Sequence, residues 1–174
     1  MSPKELEAWL ERLHEESFGW ALSCTGGDRA RAEDVLQTAY VRVISGRAVY
    51  GERSSFRTWL FGVIRRVAQE ENRRVRREEQ RTVPIDGAAW LAVEEAPTGV
   101  ADTASVEALR AALVRLPERQ REVLHLVFYQ DLSIADAADV MEISLGSART
   151  HYERGKARLR LFLREGRDER PATG

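Results

Sequence analysis

Cysteine is the scarcest reactive residue in this chain, and its scarcity excludes several kinds of chemistry. Cys24 is the single cysteine, so neither an internal disulfide nor a cysteine-cluster zinc site can form. His14, His125 and His151 lie far apart and show no metal-ligand spacing. Clustered carboxylates and a recognisable serine nucleophile are also missing, so no cofactor, no metal and no enzymatic activity are expected. No apolar run approaches bilayer length, and the N-terminus MSPKELEAWLERLHEE is too acidic for a signal peptide. A soluble cytoplasmic protein with no membrane contact of its own follows as the expectation. Charge of one sign is not in excess either. A net charge of −1 excludes a uniformly basic nucleic-acid binder and makes the distribution of charge the informative quantity.

What is present is helical periodicity. Hydrophobic residues make up 43% of the 174 residues, enough for real cores, and a charged fraction of 32% suits small helical units with much surface. Ser2-Pro3-Lys4-Glu5 reads as a capped helix start. Leu6, Trp9, Leu10 and Leu13 continue at helical spacing, and one helix is expected through Phe18 and Ala21 to the stop at Gly26-Gly27. Cys24, near its end, is expected to be a small buried hydrophobe. The next helix, Ala32 to Ile44, turns Val35, Leu36, Ala39, Tyr40 and Val43 toward a core. Asp34, Gln37, Thr38, Val41 and Arg42 lie on its other side, where a polar face is ordinarily just solvated.

Gly46 and Gly51 bracket a loop, after which Ser54 or Ser55 can cap a helix carrying FRTWLFGVIRRVAQEENRRVRR. Phe56, Trp59, Leu60, Val63, Ile64 and Val67 are too dense to be exposed, so this helix is central to the first half. Trp59 reads as core on its spacing. Beyond Ile64 the helix turns basic, with Arg65, Arg66, Arg73, Arg74, Arg76, Arg77 and Arg81 against Glu70, Glu71, Glu78 and Glu79. Such an end can follow a phosphate backbone, or it can be a solvated helix laced by ion pairs.

From Thr82 to Leu109 there is no lysine or arginine, while Asp86, Glu94, Glu95, Asp102 and Glu107 give a formal charge of −5. Pro84, Gly87, Pro97 and Gly99 break any long helix, leaving at most a short turn over Ala88 to Val93. An irregular stretch of this length marks a domain boundary. The fold class is therefore all-α: two small helical domains joined by an acidic flexible linker. The expected division is 1–81, a linker 82–104, a second domain 105–165 and a frayed tail 166–174.

The second half resumes near Ser105 with Val106, Leu109, Leu113 and Leu116. Pro117 then opens a helix, PERQREVLHLVFYQ, with Val123, Leu124 and Val127 inward. The stretch from Leu132 to Arg160 reads as a helix-turn-helix. Ser133 and Asp136 form a capping box, and Ile134, Ala137, Ala138 and Met141 make a core stripe. Ser144 caps the second helix, and the small residues Ala137 and Ala148 permit close helix approach. That second helix presents Arg149, Thr150, Glu153 and Arg154 outward, with Ala148, Tyr152 and Leu159 inward. Guanidinium groups near such a helix start suit guanine edges in a major groove. A solvated basic face is the plainer reading.

AEDVLQ followed by a helix, SSFRTWL with its arginine-rich continuation, then LPERQREVL and a helix-turn-helix follow one another in an order that resembles a known family. From about Leu10 to Leu163 the chain resembles bacterial RNA polymerase sigma factors of the extracytoplasmic function (ECF) group. The resemblance implies a region 2 that melts and reads the minus-ten element and a region 4 that reads the minus-thirty-five element. It implies that Asp34, Gln37, Thr38 and Val41 dock on the clamp helices of the polymerase β′ subunit, which replaces the solvated reading of that face. It assigns Arg65, Arg66, Gln69, Glu70, Arg73, Arg74 and Arg77 to minus-ten DNA. Ser147, Arg149, Thr150, His151, Glu153, Arg154 and Arg158 fall to the minus-thirty-five element. Partners implied are core RNA polymerase through its β′ and β subunits, promoter DNA, and an anti-sigma factor, free or membrane-anchored. The acidic segment corresponds to the linker that threads toward the polymerase active-site channel.

The chain departs from the family at Thr38, where glutamate is usual, at Arg66, commonly asparagine, at Glu70, another polar-reader position, and at Ala148, usually a branched valine. These departures point to a promoter preference of its own. Two other functions fit the residues without the resemblance: a dimeric helix-turn-helix regulator acting alone on a palindromic site, and a DNA-processing enzyme such as a recombinase. The latter has no catalytic cluster to support it.

Overall fold

The structure is a computed structural model describing residues 2–80 and 103–168. The chain divides into two helical units. The predicted acidic linker, up to residue 102, and the short turn expected over Ala88 to Val93 lie outside the described residues, as does 169–174 of the tail. No helix among the described residues is long and apolar enough to cross a membrane.

The first unit consists of α1 (Pro3–Arg12), α2 (His14–Cys24), α3 (Arg29–Ile44) and α4 (Phe56–Glu79). Serine and aspartate caps set three of the starts. Ser2 and Glu5 close a reciprocal capping box on α1, Asp28 accepts from the Arg31 amide at 3.0 Å, and Ser55 accepts from the Thr58 amide at 3.1 Å. The Asp28 cap starts α3 a turn before Ala32, where the sequence placed it. The single N-terminal helix expected from the sequence is broken at Leu13, whose backbone sits at φ −92° and ψ 4°. Leu13 is itself buried, and the break lets α1 and α2 turn separate apolar faces inward.

Helices α2, α3 and α4 pack on one another, with α1 against α2 and α3. Trp20, Phe61, Leu60, Ile64 and Val35 are fully enclosed between them. The Trp20 indole donates to the Phe61 carbonyl at 3.0 Å, so the largest core side chain leaves no buried polar atom unpaired. Asn72 ties the far end of α4 to the rest: its amide donates to the Cys24 carbonyl at 3.2 Å and accepts from Arg31. Cys24 is half-buried, less enclosed than its apolar neighbours led us to expect, because it sits on the last turn of α2. Trp59 is half-buried as well. It lies in an aromatic cluster with Phe56 and Tyr50, ring centroids 5.3 Å from each, and Trp9 adds to that cluster from α1.

The second unit consists of α5 (Thr103–Val114), α6 (Glu118–Leu124), a π-helical turn (His125–Tyr129), α7 (Ile134–Met141) and α8 (Leu145–Asp168). Pro117 is the N-cap of α6, one position earlier than the first-turn place expected for it. The helix expected to run on through Tyr129 widens instead: the Gln130 amide reaches the His125 carbonyl at 3.2 Å, five residues back. That extra residue shifts the helical phase. Leu126 becomes fully buried in place of Val127, and Phe128 and Tyr129 face solvent. Ala112 of α5 and Leu116 just beyond it make the core contact, while Leu109, expected inward, is 40% exposed.

Ser133 and Ser144 cap α7 and α8 as their spacing predicts, accepting from the Asp136 and Ser147 amides at 3.0 and 3.1 Å. Helix α8 continues through residues expected to fray. Arg115 holds its later turns to α5, pairing with Glu165 at 2.9 Å and lying 3.8 Å over the Phe162 ring. Helices α6 and α8 meet at Gly155, where an added Cβ would stand 3.1 Å from Leu124 Cδ1 and 3.3 Å from the Gln120 carbonyl oxygen. Helix propensity favours alanine over glycine by about 1 kcal/mol, but overpacking against a backbone carbonyl costs about 1–3 kcal/mol. Gly155→Ala should therefore destabilise the chain by about 1 kcal/mol net, read as a lowered midpoint in urea with unchanged slope.

Burial pushes the His125 imidazole down to about 4 from its ordinary 6.5. Its ring stacks on Tyr129 with centroids 5.2 Å apart, and the Gln130 side chain lies 3.3 Å from Nε2. The unfolded chain takes up this proton near pH 6.5 and the folded unit only near 4, so unfolding binds the proton across that window. Stability from this group is complete above pH 6.5 and is lost as the pH falls toward 4. Melting curves of wild type and His125→Gln at pH 7 and pH 5 should differ in one respect: the variant loses less of its melting temperature on acidification.

Candidate nucleic-acid and polymerase interfaces

Three surfaces carry the side chains marked by the sequence. On α3, burial of Ala32, Val35, Leu36, Ala39 and Val43 leaves Asp34, Gln37, Thr38 and Val41 exposed on successive turns. Val41 is 53% exposed and Ile44 68%, so the stripe ends in two apolar side chains that meet solvent. Such a mixed face can hydrogen-bond a partner helix at one end and bury aliphatic surface at the other.

On α4 the arginines do not form one uniform face. Arg65 is 5% exposed. With the Gln69 amide oriented to satisfy its hydrogen bonds, its oxygen accepts from both Arg65 Nη1 and Nη2, at 3.1 and 3.0 Å. Arg65 thus differs from the other arginines expected to face DNA: the helix turns it inward, and Gln69 is partly enclosed with it. Arg66, Arg73, Arg74 and Arg77 are exposed. Arg74 is held by Glu71 at 2.7 Å and Glu78 at 3.2 Å, which raises its own pKa and holds the Glu71 carboxyl below the usual range. Glu70 is bound on both carboxylate oxygens by Arg42 of α3, at 3.0 and 2.5 Å. Those hydrogen bonds hold the Glu70 carboxyl below its ordinary pKa and raise Arg42 in turn.

Two clefts flank this pair. One, of about 370 Å³, is lined by Asp34, Thr38, Glu71 and Arg74 among others. The other, of about 320 Å³, has Trp59 and Val63 as its apolar wall and Arg47 and Arg66 at its edge. Arg42 and Glu70 line both.

On α8, Ala148 is fully buried, which fixes the rotation of the helix. Ser147, Arg149, Thr150, Glu153, Arg154 and Arg158 are then exposed and His151 half-buried. Thr150 donates back to the Gly146 carbonyl at 3.0 Å, and Glu153 pairs with Lys156 at 3.0 Å. Tyr152 stacks on Phe128 at 5.8 Å, clamping the helix to the π-helical turn. Sequence reasoning missed the roles of Trp20, Asn72, Gly155 and the Arg42–Glu70 pair. Only Arg42 had been placed on the correct helix face, and nothing local marked its partner 28 positions away.

Residues 9–78 match Sigma-70 region 2, and residues 106–159 match Sigma-70, region 4. Over 146 residues the chain is 31% identical to the ECF RNA polymerase sigma factor SigX of Bacillus subtilis (strain 168), spanning 82% of this chain and 75% of that protein. The chain belongs to the ECF RNA polymerase sigma factors. It is also 29% identical over 137 residues to the ECF RNA polymerase sigma factor EcfG of Rhodopseudomonas palustris (strain TIE-1), covering 79% of this chain and 74% of the relative. Among solved structures it shares the fold of the sigma factor RpoE of Bartonella quintana, seen in complex with the anti-sigma factor NepR. That likeness has a TM-score of 0.78 at 24% identity and covers 92% of this chain and 98% of the other. As an ECF sigma factor the protein directs RNA polymerase to promoters and does no bond chemistry of its own.

Buried and exposed arginines of the same sigma helix should separate experimentally. Arg65→Ala removes a hydrogen-bonded buried group and should cost about 1–3 kcal/mol of folding stability with an unchanged salt slope of DNA binding. Arg73→Ala with Arg77→Ala should leave the melting curve nearly unmoved and flatten the salt slope instead. Paired urea titrations and holoenzyme–promoter binding across a salt series give both readouts.

Proposed function

We propose that this sigma factor divides its contacts by helix. Asp34, Gln37, Thr38 and Val41 of α3 dock on the clamp helices of the polymerase β′ subunit, and the second unit reaches the β subunit. Arg66, Gln69, Arg73, Arg74 and Arg77 serve the minus-ten element, with backbone clamping by the exposed arginines; Glu70 lies on the same face, held by Arg42, without reading a base. Opening is promoted by capture of an unstacked base and electrostatic retention of the displaced strand. Residues 82–104 form the acidic linker that threads the polymerase between region 2 (1–81) and region 4 (105–165). The protein works in the cytoplasm. The relative crystallised with NepR supports an anti-sigma partner for this chain too.

The observation that carries the DNA reading is the rotation of α8. With Ala148 buried, its first turns present Ser147, Arg149, Thr150, Glu153 and Arg154 together to solvent. A guanidinium at the Arg149 position can donate two parallel hydrogen bonds to one guanine of the minus-thirty-five element. Arg158, more than two turns farther on, is placed for phosphate.

Core polymerase loaded with each alanine variant, titrated on single-base variants of the upstream element, tests this assignment. Arg149→Ala should cost about 1–3 kcal/mol and relax preference at one base pair. Arg158→Ala should weaken every promoter alike and reduce the salt slope by about one. An Arg149→Ala profile parallel to wild type at every base removes direct readout from that residue.

A further inference from the structure

The cleft walled by Trp59 and Val63 is basic at three points, Arg42, Arg47 and Arg66, and acidic at one, Glu70. A lone carboxylate is a poor lining for a surface that faces a polyanion, because its repulsion of a nearby phosphate opposes every contact around it. Here that carboxylate is not alone. Arg42 reaches across from α3 and donates through both terminal nitrogens to both Glu70 oxygens, a parallel fork of the strongest geometry available to these side chains. Its fork is thereby spent. Both charged groups lie near the surface, the Arg42 side chain 33% exposed and the Glu70 side chain 53%.

We propose that Arg42 is a positioning residue for capture of the single strand: it acts through Glu70, neutralising the carboxylate at the edge of the strand-facing cleft. The inference rests on the reading of the outer α4 face as the minus-ten surface. It adds a residue of α3 to the requirements of that face, although α3 is otherwise the polymerase-docking helix. The pair also closes the space between the two clefts, so the helix that docks on polymerase and the helix that meets DNA share one ionic bond. Without Arg42 the cleft would lose one positive charge and expose one negative charge.

The charge argument separates from a packing argument by double substitution. Holoenzymes carrying wild type, Arg42→Ala, Glu70→Gln, or both are titrated against a labelled single-stranded DNA selected by the wild-type holoenzyme from a random pool. Arg42→Ala should weaken binding about tenfold, since it strips the neutralising partner and leaves the acid. Arg42→Ala with Glu70→Gln should return to within about threefold of wild type, because the offending charge is gone with its partner. Glu70→Gln alone releases the Arg42 fork to the strand, raising affinity and steepening the salt slope by about one. Thermal melts of the same chains distinguish a structural role, since the double variant lacks the bridge and should melt no higher than Arg42→Ala. A double variant as weak as Arg42→Ala overturns the inference, because the guanidinium would then act on DNA or on packing by itself. Full wild-type affinity in Arg42→Ala also overturns it. Failure of the wild-type holoenzyme to select any single strand overturns the reading of the face, and the inference with it.

Discussion

The first unit depends on enclosing the early turns of α4. Leu60, Phe61 and Ile64 are fully buried there, and the Trp20 indole bonds to the Phe61 carbonyl from α2. A buried indole N–H without an acceptor would carry a desolvation cost of a few kcal/mol. Satisfying it with a main-chain carbonyl of α4 fixes the two helices along their axes as well as across them. Asn72, three turns farther on, repeats the device with the Cys24 carbonyl. Once those turns are held, the remainder of α4 has one rotational setting. Arg73 and Arg77 point outward as a consequence of what Trp20 and Phe61 do inside.

The second unit reaches a comparable result with small residues. Ala137 and Ala148 are completely buried, and Gly155 lets α8 lie almost in backbone contact with α6. Close approach replaces the large aromatic core of the first unit. It also sets the rotation of α8, since Ala148 inward leaves Arg149 outward. The π-helical turn belongs to the same packing. Its extra residue puts Leu126 into the core and frees Phe128 to stack on Tyr152.

A net charge of −1 on a DNA-binding protein is reconciled by where the charges are engaged. Several arginines of the first unit serve internal purposes: Arg65 is buried, Arg42 neutralises Glu70, and Arg74 bridges Glu71 and Glu78. The stretch from Thr82 to Leu109 adds five acids and no lysine or arginine to that balance. Counterion release depends on the arginines that remain available at the surface, so neither the sum nor the simple run of arginines in α4 measures the DNA-binding capacity.

The sequence by itself determined what local hydrogen bonds and one-helix periodicity control. The caps at Ser2, Ser55, Ser133 and Ser144 each involve an amide three residues on, and the buried stripe and exposed face of α3 repeat every helical turn. The ordered series of motifs was enough to indicate the family. Tertiary structure alone decided the break at Leu13, the phase shift at His125, the burial of Arg65 and the joining of Arg42 to Glu70. Each depends on a neighbour distant in sequence or on the rotation of a whole helix against its partners. Packing sets that rotation collectively, and an arginine reads the same in a chain of letters whether the helix turns it to solvent or to its own core.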